Sequence, residues 1–203
     1  MRPAVLARLT ERFAMPSKLF AREELFTDVE LPPRLPGVYG WYFDALPKRV
    51  PTAGCVPSGR WRLLYVGIAP KAPPTNGKPP SSATLRSRLS QHFGGTADGS
   101  TLRFTLGCLL SNELGLNLTA TGTSGRLTFA PEGEAELSRW MARHARVCWV
   151  EHPAPWLLEH ELIGRLTLPF NLHGNKGNAF RSELSDCRAA ARVQARARLA
   201  GRR

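Results

Sequence analysis

The chain has 203 residues, of which 42% are hydrophobic, enough to bury the core of one compact domain and too short for a large two-domain enzyme. Its formal net charge is +12, its sequence pI is about 10.6, and 23 of its 28 basic residues are Arg. Because a guanidinium binds phosphate oxygens in pairs, this composition favours a nucleic-acid partner. The alternative explanation is an Arg-rich composition inherited from a GC-rich genome.

Cysteine usage and hydropathy predict a cytoplasmic protein. The four cysteines are widely scattered, without a C-x-x-C pair or metal-ligand spacing, so we expect reduced thiols. No apolar run approaches the ~18 residues that a membrane span needs, so we expect neither a signal peptide nor a transmembrane helix. Binding to an anionic membrane surface would need a larger apolar helix face than the Ala-rich C-terminal segment offers.

Hydrophobic periodicity and turn residues predict a mixed chain of helices and strands. Thr84 is a helix cap, Pro131 precedes an acidic first turn, and Gly122–Gly125 is typical of a hairpin turn. The predicted elements are a helix over 3–14, strands over 37–43 and 61–66, loops over 44–60 and 70–82, helices over 84–93 and 101–114, a hairpin over 117–130, a helix over 131–145, a strand over 146–150, a helix over 155–166 and an Arg-rich helix from 182 onward.

One carboxylate stands out on the predicted helix over 155–166. On a helical wheel, Glu159 lies within the apolar arc, between Ile163 and Leu166. Burying an unpaired carboxylate costs several kcal/mol, so a cation, a metal ion or several hydrogen bonds must meet it. The alternative is an internal salt bridge. Glu161 falls on the polar side of the same wheel.

Two further pairs of residues have the character of a site. Arg88 and His92 are four residues apart along one flank of a helix, where they could jointly reach a phosphate or form an ordinary solvated face. Tyr39 and Tyr65 lie in the two predicted strands and are each followed closely by glycine. Taken alone, tyrosines in strands are usually packing residues.

Taken in order, these residues resemble the GIY-YIG nuclease superfamily. Gly37-Val38-Tyr39 and Tyr65-Val66-Gly67 match the two name-giving tripeptides, and the helix over 85–93 is similar to the family's arginine helix. Leu157-Leu158-Glu159 and then Pro169-Phe170-Asn171 resemble its glutamate helix and closing asparagine. The likeness covers about residues 36–93 and 146–175.

The resemblance implies an α/β (α+β) fold with a small central three-stranded antiparallel sheet flanked by helices. It divides the chain into an N-terminal helical extension over 1–30, a catalytic domain over 31–180 with an inserted helix and hairpin at about 99–130, and an Arg-rich C-terminal helix or tail over 181–203.

The resemblance also implies an endonuclease that hydrolyses phosphodiester bonds, in DNA rather than RNA, with one divalent ion, Mg²⁺ or Mn²⁺. Glu159 would bind the metal, a hard cation suited to a carboxylate. Arg88 would stabilise charge on the phosphate, His92 would support Arg88 or the attacking water, and Tyr65 would hydrogen-bond in the same network. Tyr39 would orient or deprotonate the water.

Other residues would support this site. Gly37 and Gly67 belong to the tripeptides, and Asn171 would brace the site. Some family members carry lysine where this chain has Ile68, so either Tyr39 or a metal-bound hydroxide would be the base. The residues expected to bind nucleic acid are Arg86, Arg188, Arg192 and Arg196. The alternative function is a catalytically inactive nucleic-acid-binding module on the same fold.

Overall fold

The computed structural model describes residues 3–28, 30–121 and 126–200. The helices are α1 (Pro3–Ala14), α2 (Arg22–Thr27), α3 (Leu85–Gly94), α4 (Thr101–Leu109), α5 (Ala130–His144), α6 (Trp156–Arg165) and α7 (Arg181–Ala200). The strands are β1 (Gly37–Phe43), β2 (Pro57–Ser58), β3 (Trp61–Ala69), β4 (Thr119–Thr121), β5 (Arg126–Thr128) and β6 (Ala145–Glu151). The short elements α2 and β2 are absent from the sequence prediction.

The main sheet has the order β2-β3-β1-β6, and every neighbouring pair is antiparallel. Its three long strands are the predicted ones, and the two-residue β2 is added at the outer edge of β3. Trp41 pairs with Tyr65 while Tyr42 pairs with Leu63, so Leu64 is the extra residue of a β-bulge. The mixed helix and antiparallel-sheet architecture confirms the predicted fold class.

The two faces of the sheet carry separate cores because successive residues of a strand point to opposite sides. Tyr39, Trp41 and Phe43 of β1 belong to the larger core, which includes buried residues of α3, α4, α5 and α7. Val38 and Tyr42 belong to the smaller core, which includes buried residues of α1 and α6. The sheet thus separates α3 from α6.

The N-terminal segment is an integral part of this fold. Phe13 of α1 is fully buried in the smaller core, and its carbonyl accepts a hydrogen bond from the Tyr42 hydroxyl. Phe20 forms an isolated antiparallel bridge with Val147 at the free edge of β6. These contacts build the core and cover a sheet edge, so the N-terminal extension packs against the sheet, and its boundary near residue 30 stays a prediction.

The predicted insertion is equally well anchored. A buried ion pair joins α4 to α5, with Arg103 Nη2 2.7 Å from Glu134 Oε2. Arg103 Nη1 also donates to the carbonyls of His92 and Phe93, at 3.2 Å each, at the end of α3. The insertion therefore holds the carboxyl-terminal end of α3.

One predicted boundary in this region changes. The helix expected over 101–114 ends at Leu109, and the backbone N–H of Leu110 caps it on Leu106. Strands β4 and β5 confirm the two arms of the hairpin, while its expected turn over 122–125 lies outside the described residues.

The C-terminal helix α7 packs on α4 and β4, so it is a structured element. Across the described ranges, no helix is long and apolar enough to cross a membrane.

Candidate active site

Helix α3 places the arginine and the histidine of the site. Thr84 caps its first turn by accepting a hydrogen bond from Ser87 N–H. Leu85, Leu89 and Phe93 face the core and fix the rotation of the helix. His92 lies on the same buried side and is 0% exposed, so the alternative of an ordinary solvated face does not hold for His92.

His92 stands in a chain of hydrogen bonds that crosses from the sheet to the insertion. Its Nε2 lies 2.9 Å from the Tyr39 hydroxyl, and its Nδ1 lies 2.6 Å from Ser100 Oγ. The ring also contacts Trp41 and Tyr65, with centroids 5.6 and 6.2 Å away. Burial, followed by the charges of Arg88 and Arg103, lowers the pKa of His92 well below its usual value, so the imidazole is neutral at physiological pH.

Gly67 provides the space that Tyr39 occupies. The two residues are cross-strand partners, and a Cβ at Gly67 would lie 2.6 Å from the Tyr39 hydroxyl oxygen. Gly37 likewise allows close packing, because a Cβ there would lie 2.5 Å from the Val150 carbonyl oxygen and 2.8 Å from Leu85 Cδ1. Both glycines therefore allow close packing around the site.

Tyr65 is held by its own strand and by Asn171. The Asn171 side chain accepts from Val66 N–H at 2.9 Å and donates to the Val66 carbonyl at 2.7 Å, so it pairs with β3 as a neighbouring strand would. Phe170 N–H donates to the Leu64 carbonyl at 3.1 Å. Together these bonds fix the backbone on both sides of Tyr65, which is where the sequence places the brace.

Burial keeps both tyrosines protonated. Burial raises the pKa of Tyr39, the positive charge of Arg88 opposes this, and Glu159 adds to the rise. Burial also raises the pKa of Tyr65, with the charges of Tyr39 and Glu159 adding to the rise and those of Arg88 and Arg188 opposing it. Each of the two phenols thus lies within electrostatic reach of both Arg88 and Glu159. Arg88 is oriented by the Gly99 carbonyl, which accepts from its Nη1 at 3.2 Å.

Glu159 is half-buried near the start of α6, while Leu158, Leu162 and Ile163 are buried against the smaller core. Burial raises the pKa of its carboxyl group, and the charges of His173 and Lys71 oppose this. Among the residues that the structure describes, no hydrogen bond or ion pair reaches this carboxylate. The alternative of an internal salt bridge is therefore not found there.

The predicted nucleic-acid contacts divide into two groups. Arg86 donates from Nε to the Pro32 carbonyl and from Nη2 to the Leu31 carbonyl, at 2.8 Å each, so it holds the preceding loop, and its contact with nucleic acid stays a prediction. Arg188 and Arg192 of α7 stack on Phe104 of α4, with Cζ atoms 5.0 and 4.5 Å from the ring centroid. Arg196, one turn further, is exposed.

Sequence reasoning missed Ser100, Arg103 and Glu134. Glu134 could have been found from the wheel used for Glu159, since it precedes Leu137 and Met141 by three and seven residues and so shares their buried side. No comparable sequence pattern marks Ser100 as a site residue, because a serine before a helix is explained by its role as a helix cap. Its contact with His92 exists only in the folded chain.

An arginine, two tyrosines and an unpaired carboxylate at one end of a small antiparallel sheet define a site suited to reactions of phosphate esters. The sequence matches the family described as the GIY-YIG catalytic domain over residues 37–190, and the chain belongs to that family. Its members are generally endonucleases that hydrolyse phosphodiester bonds, typically with divalent metal ions. Neither the curated proteins nor the solved structures provide a match.

Proposed function

We propose that this protein is a metal-dependent endonuclease that hydrolyses phosphodiester bonds in DNA by in-line attack of water. The observation that carries the proposal is the Glu159 carboxylate, which is half-buried, acts electrostatically on Tyr39 and Tyr65, and has no hydrogen-bond or ion-pair partner among the described residues. A desolvated carboxylate of this kind is costly unless a cation binds it.

The residues present fit one divalent ion. Mg²⁺ is usually bound by one or two carboxylates, with water and substrate phosphates completing its coordination. Within the described ranges, no group of three or more His, Cys, Asp or Glu side chains is placed to hold a metal, so Glu159 would be the protein ligand and the substrate would supply others. When bound, Mg²⁺ or Mn²⁺ would supply Lewis-acid stabilisation of charge on the phosphate.

The other side chains of the candidate site have separate roles in the proposed reaction. Arg88, held by the Gly99 carbonyl, would stabilise the charge that builds on the phosphate oxygens. Tyr39 would orient the attacking water and accept its proton as a phenolate, a form that Arg88 favours and that burial opposes. Tyr65 would hydrogen-bond in the same network, and Asn171 would hold its strand in place. Neutral His92 would act through Tyr39, since it is buried behind it.

The basic face of α7 would bind the DNA backbone. Arg188 Nε is buried without a hydrogen-bond partner in the described part of the chain, and the charge of Arg188 reaches Tyr65. Both observations support a phosphate-contacting role for Arg188, and Arg192 and Arg196 continue along the same side of the helix. We propose that these residues contact phosphates flanking the scissile bond.

We also propose a cytoplasmic location, where the four free cysteines would stay reduced.

This interface can be tested by the salt dependence of DNA binding. Replacing one phosphate-contacting arginine should lower the slope of log K against log salt by about 1. We expect this for Arg188→Ala, measured by fluorescence anisotropy with a duplex in the absence of divalent ions. Arg143→Ala, an exposed arginine on α5, is the matched control and should leave the slope unchanged. An unchanged slope for Arg188→Ala would remove Arg188 from the interface.

The inactive binding module is the second candidate, and Ile68 favours it. However, the Ile68 side chain belongs to the smaller core, on the face of the sheet opposite the Tyr39 ring. An apolar residue is therefore explained there by packing, and it removes no group from the Tyr39 side.

Cleavage assays with matched variants distinguish the two functions. Duplex, branched and single-stranded DNA and RNA would be incubated with Mg²⁺ or Mn²⁺. We expect metal-dependent cutting of DNA that falls by at least about 100-fold in Glu159→Gln, because loss of an electrostatic stabiliser of a transition state has roughly that effect. Glu161→Gln removes the same charge from an exposed position on α6 and should cut at the parent rate.

Binding and folding measurements complete this test. Both variants should bind DNA without metal as the parent does, and both should melt cooperatively. Cutting by Glu159→Gln at the parent rate would contradict the proposed site. Salt-dependent binding without metal-dependent products from any substrate would establish the binding module instead.

A further inference from the structure

We infer that Ser100, at the start of the insertion, is a positioning residue that fixes the proton of His92 on Nε2, so that His92 donates a hydrogen bond to the Tyr39 oxygen. The catalytic meaning of this arrangement rests on the proposed endonuclease function. The position of the proton can be measured separately, without any substrate.

The geometry begins with Ser100 Oγ. Ser100 is fully buried, and its Oγ accepts the Arg103 N–H at 3.1 Å as the cap of α4. The same oxygen lies 2.6 Å from His92 Nδ1. A serine hydroxyl carries one proton to donate and two lone pairs that accept.

The direction of the Ser100–His92 bond follows from the position of that single proton. Among the described residues, the Ser100 hydroxyl has no acceptor other than His92 Nδ1. If Nδ1–H donated to Ser100 instead, the buried hydroxyl proton would be left without an acceptor, which is unfavourable. The hydroxyl therefore donates to Nδ1.

The Tyr39 bond then has a defined direction as well. A neutral imidazole carries one N–H, so an unprotonated Nδ1 places the proton on Nε2, 2.9 Å from the Tyr39 hydroxyl oxygen. His92 is held neutral by burial and by the nearby charges of Arg88 and Arg103, which lower its pKa. The Tyr39 oxygen then accepts from His92, and the Tyr39 hydroxyl proton is left for the attacking water or a phosphate oxygen, which the proposed function puts beside Tyr39, whereas the Ser100 hydroxyl has no such acceptor.

This direction favours the form of Tyr39 that a base requires. A hydrogen bond donated to a phenolate stabilises it, whereas a tyrosine donating to His92 would have to give up that bond on losing its proton. Ser100 thus acts on Tyr39 through His92. The Arg103–Glu134 ion pair supports this geometry by holding the start of α4 against the end of α3.

The first test measures the tautomer of His92 in the whole protein. Long-range ¹H–¹⁵N spectra of the ¹⁵N-labelled chain show which ring nitrogen of each of the five histidines carries the proton, and His92→Gln assigns the signal. We expect the Nε2–H pattern at pH 7 in the parent and in Ser100→Thr, which keeps the hydroxyl. Ser100→Ala should lose it.

Thr84→Ala is the matched control because it removes a helix cap from α3, at an exposed hydrogen bond away from His92. It should keep the Nε2–H pattern. An Nδ1–H pattern in the parent would overturn the inference, and so would an unchanged pattern in Ser100→Ala.

Cleavage kinetics test the positioning role. Loss of a partner that orients a histidine typically lowers activity by roughly 10–100-fold. We expect Ser100→Ala to lower kcat by about that factor with KM nearly unchanged, Ser100→Thr to restore kcat, and Thr84→Ala to match the parent. A parent kcat in Ser100→Ala would overturn the positioning role. If no substrate is cut by the parent, the proposed function fails while the tautomer measurement still decides the proton position.

Discussion

Glu134 and Glu159 lie on two helices of the same protein, and both are turned away from open solvent, yet their surroundings are opposite. Glu134 is 7% exposed, and its carboxylate meets the Arg103 guanidinium and the backbone N–H groups of Ala97 and Phe129. Glu159 is half-buried and has no such partner within the described residues.

The difference separates a structural carboxylate from one available to a ligand. A carboxylate with a full set of donors has little left to offer a cation or a substrate. A carboxylate that is partly desolvated without donors raises the free energy of the folded chain until something binds it. Burial of an acid therefore suggests a candidate functional residue here only together with the absence of hydrogen-bond and ion-pair partners.

The largest effect should come from breaking the paired carboxylate. Glu134→Gln leaves the buried Arg103 charge without its counter-ion, and we expect the free energy of unfolding to fall by about 3–5 kcal/mol. Urea denaturation measures this. Glu136→Gln is the control, because Glu136 pairs with Arg139 on the exposed side of the same helix, and it should cost less than about 1 kcal/mol.

A double variant sharpens this result. Arg103→Met with Glu134→Leu removes both charges and should be more stable than Glu134→Gln alone, since no unpaired charge is left in the core. A Glu134→Gln protein as stable as the parent would show that the pair contributes nothing, and the contrast between the two carboxylates would disappear.

Removing the charge of the unpaired carboxylate, in Glu159→Gln, should raise the free energy of unfolding, and by less than Glu134→Gln lowers it. Burial raises the pKa of Glu159 in the folded protein. Below about pH 4.5 the carboxyl group is protonated and does not destabilise the fold. As the pH rises through the folded pKa, the group ionises in its partly buried position and the folded protein loses stability. Glu159→Gln should therefore match the parent in acid and exceed it at neutral pH. A gain of about 1 kcal/mol would raise Tm by roughly 2–4 °C.

Divalent ions should remove the stability advantage of Glu159→Gln over the parent at neutral pH. Mn²⁺ bound to Glu159 stabilises only the folded parent, so titrating Mn²⁺ at neutral pH should raise the parent's Tm and leave that of Glu159→Gln unchanged. Thermal shifts with and without EDTA measure both. Equal shifts in the two proteins would show that the ion binds elsewhere.

Much of the scaffold could be predicted because its signals are local. Thr84 marks the start of α3, apolar runs mark β1 and β3, and the helical wheel singles out Glu159. The motif order singles out Asn171, but only the structure shows that its side chain pairs with the backbone of β3.

The rest depends on contacts between distant parts of the chain. Nothing near Ser100 in the sequence reveals that it faces His92, and nothing near Arg86 reveals that the carbonyls of residues 31 and 32 accept its hydrogen bonds. Helix α2 has only six residues, so its periodicity is too short to detect. These contacts decide which polar residues belong to the site and which belong to the scaffold.

The close approach of Gly67 to Tyr39 limits how the chain can change over evolutionary time. A side chain at position 67 and a tyrosine ring at position 39 would occupy the same volume, so the two substitutions are acceptable only in a particular order. Position 67 can accept alanine without strain only after position 39 has become smaller. The glycine of the second tripeptide and the tyrosine of the first are therefore coupled, as two halves of one steric contact.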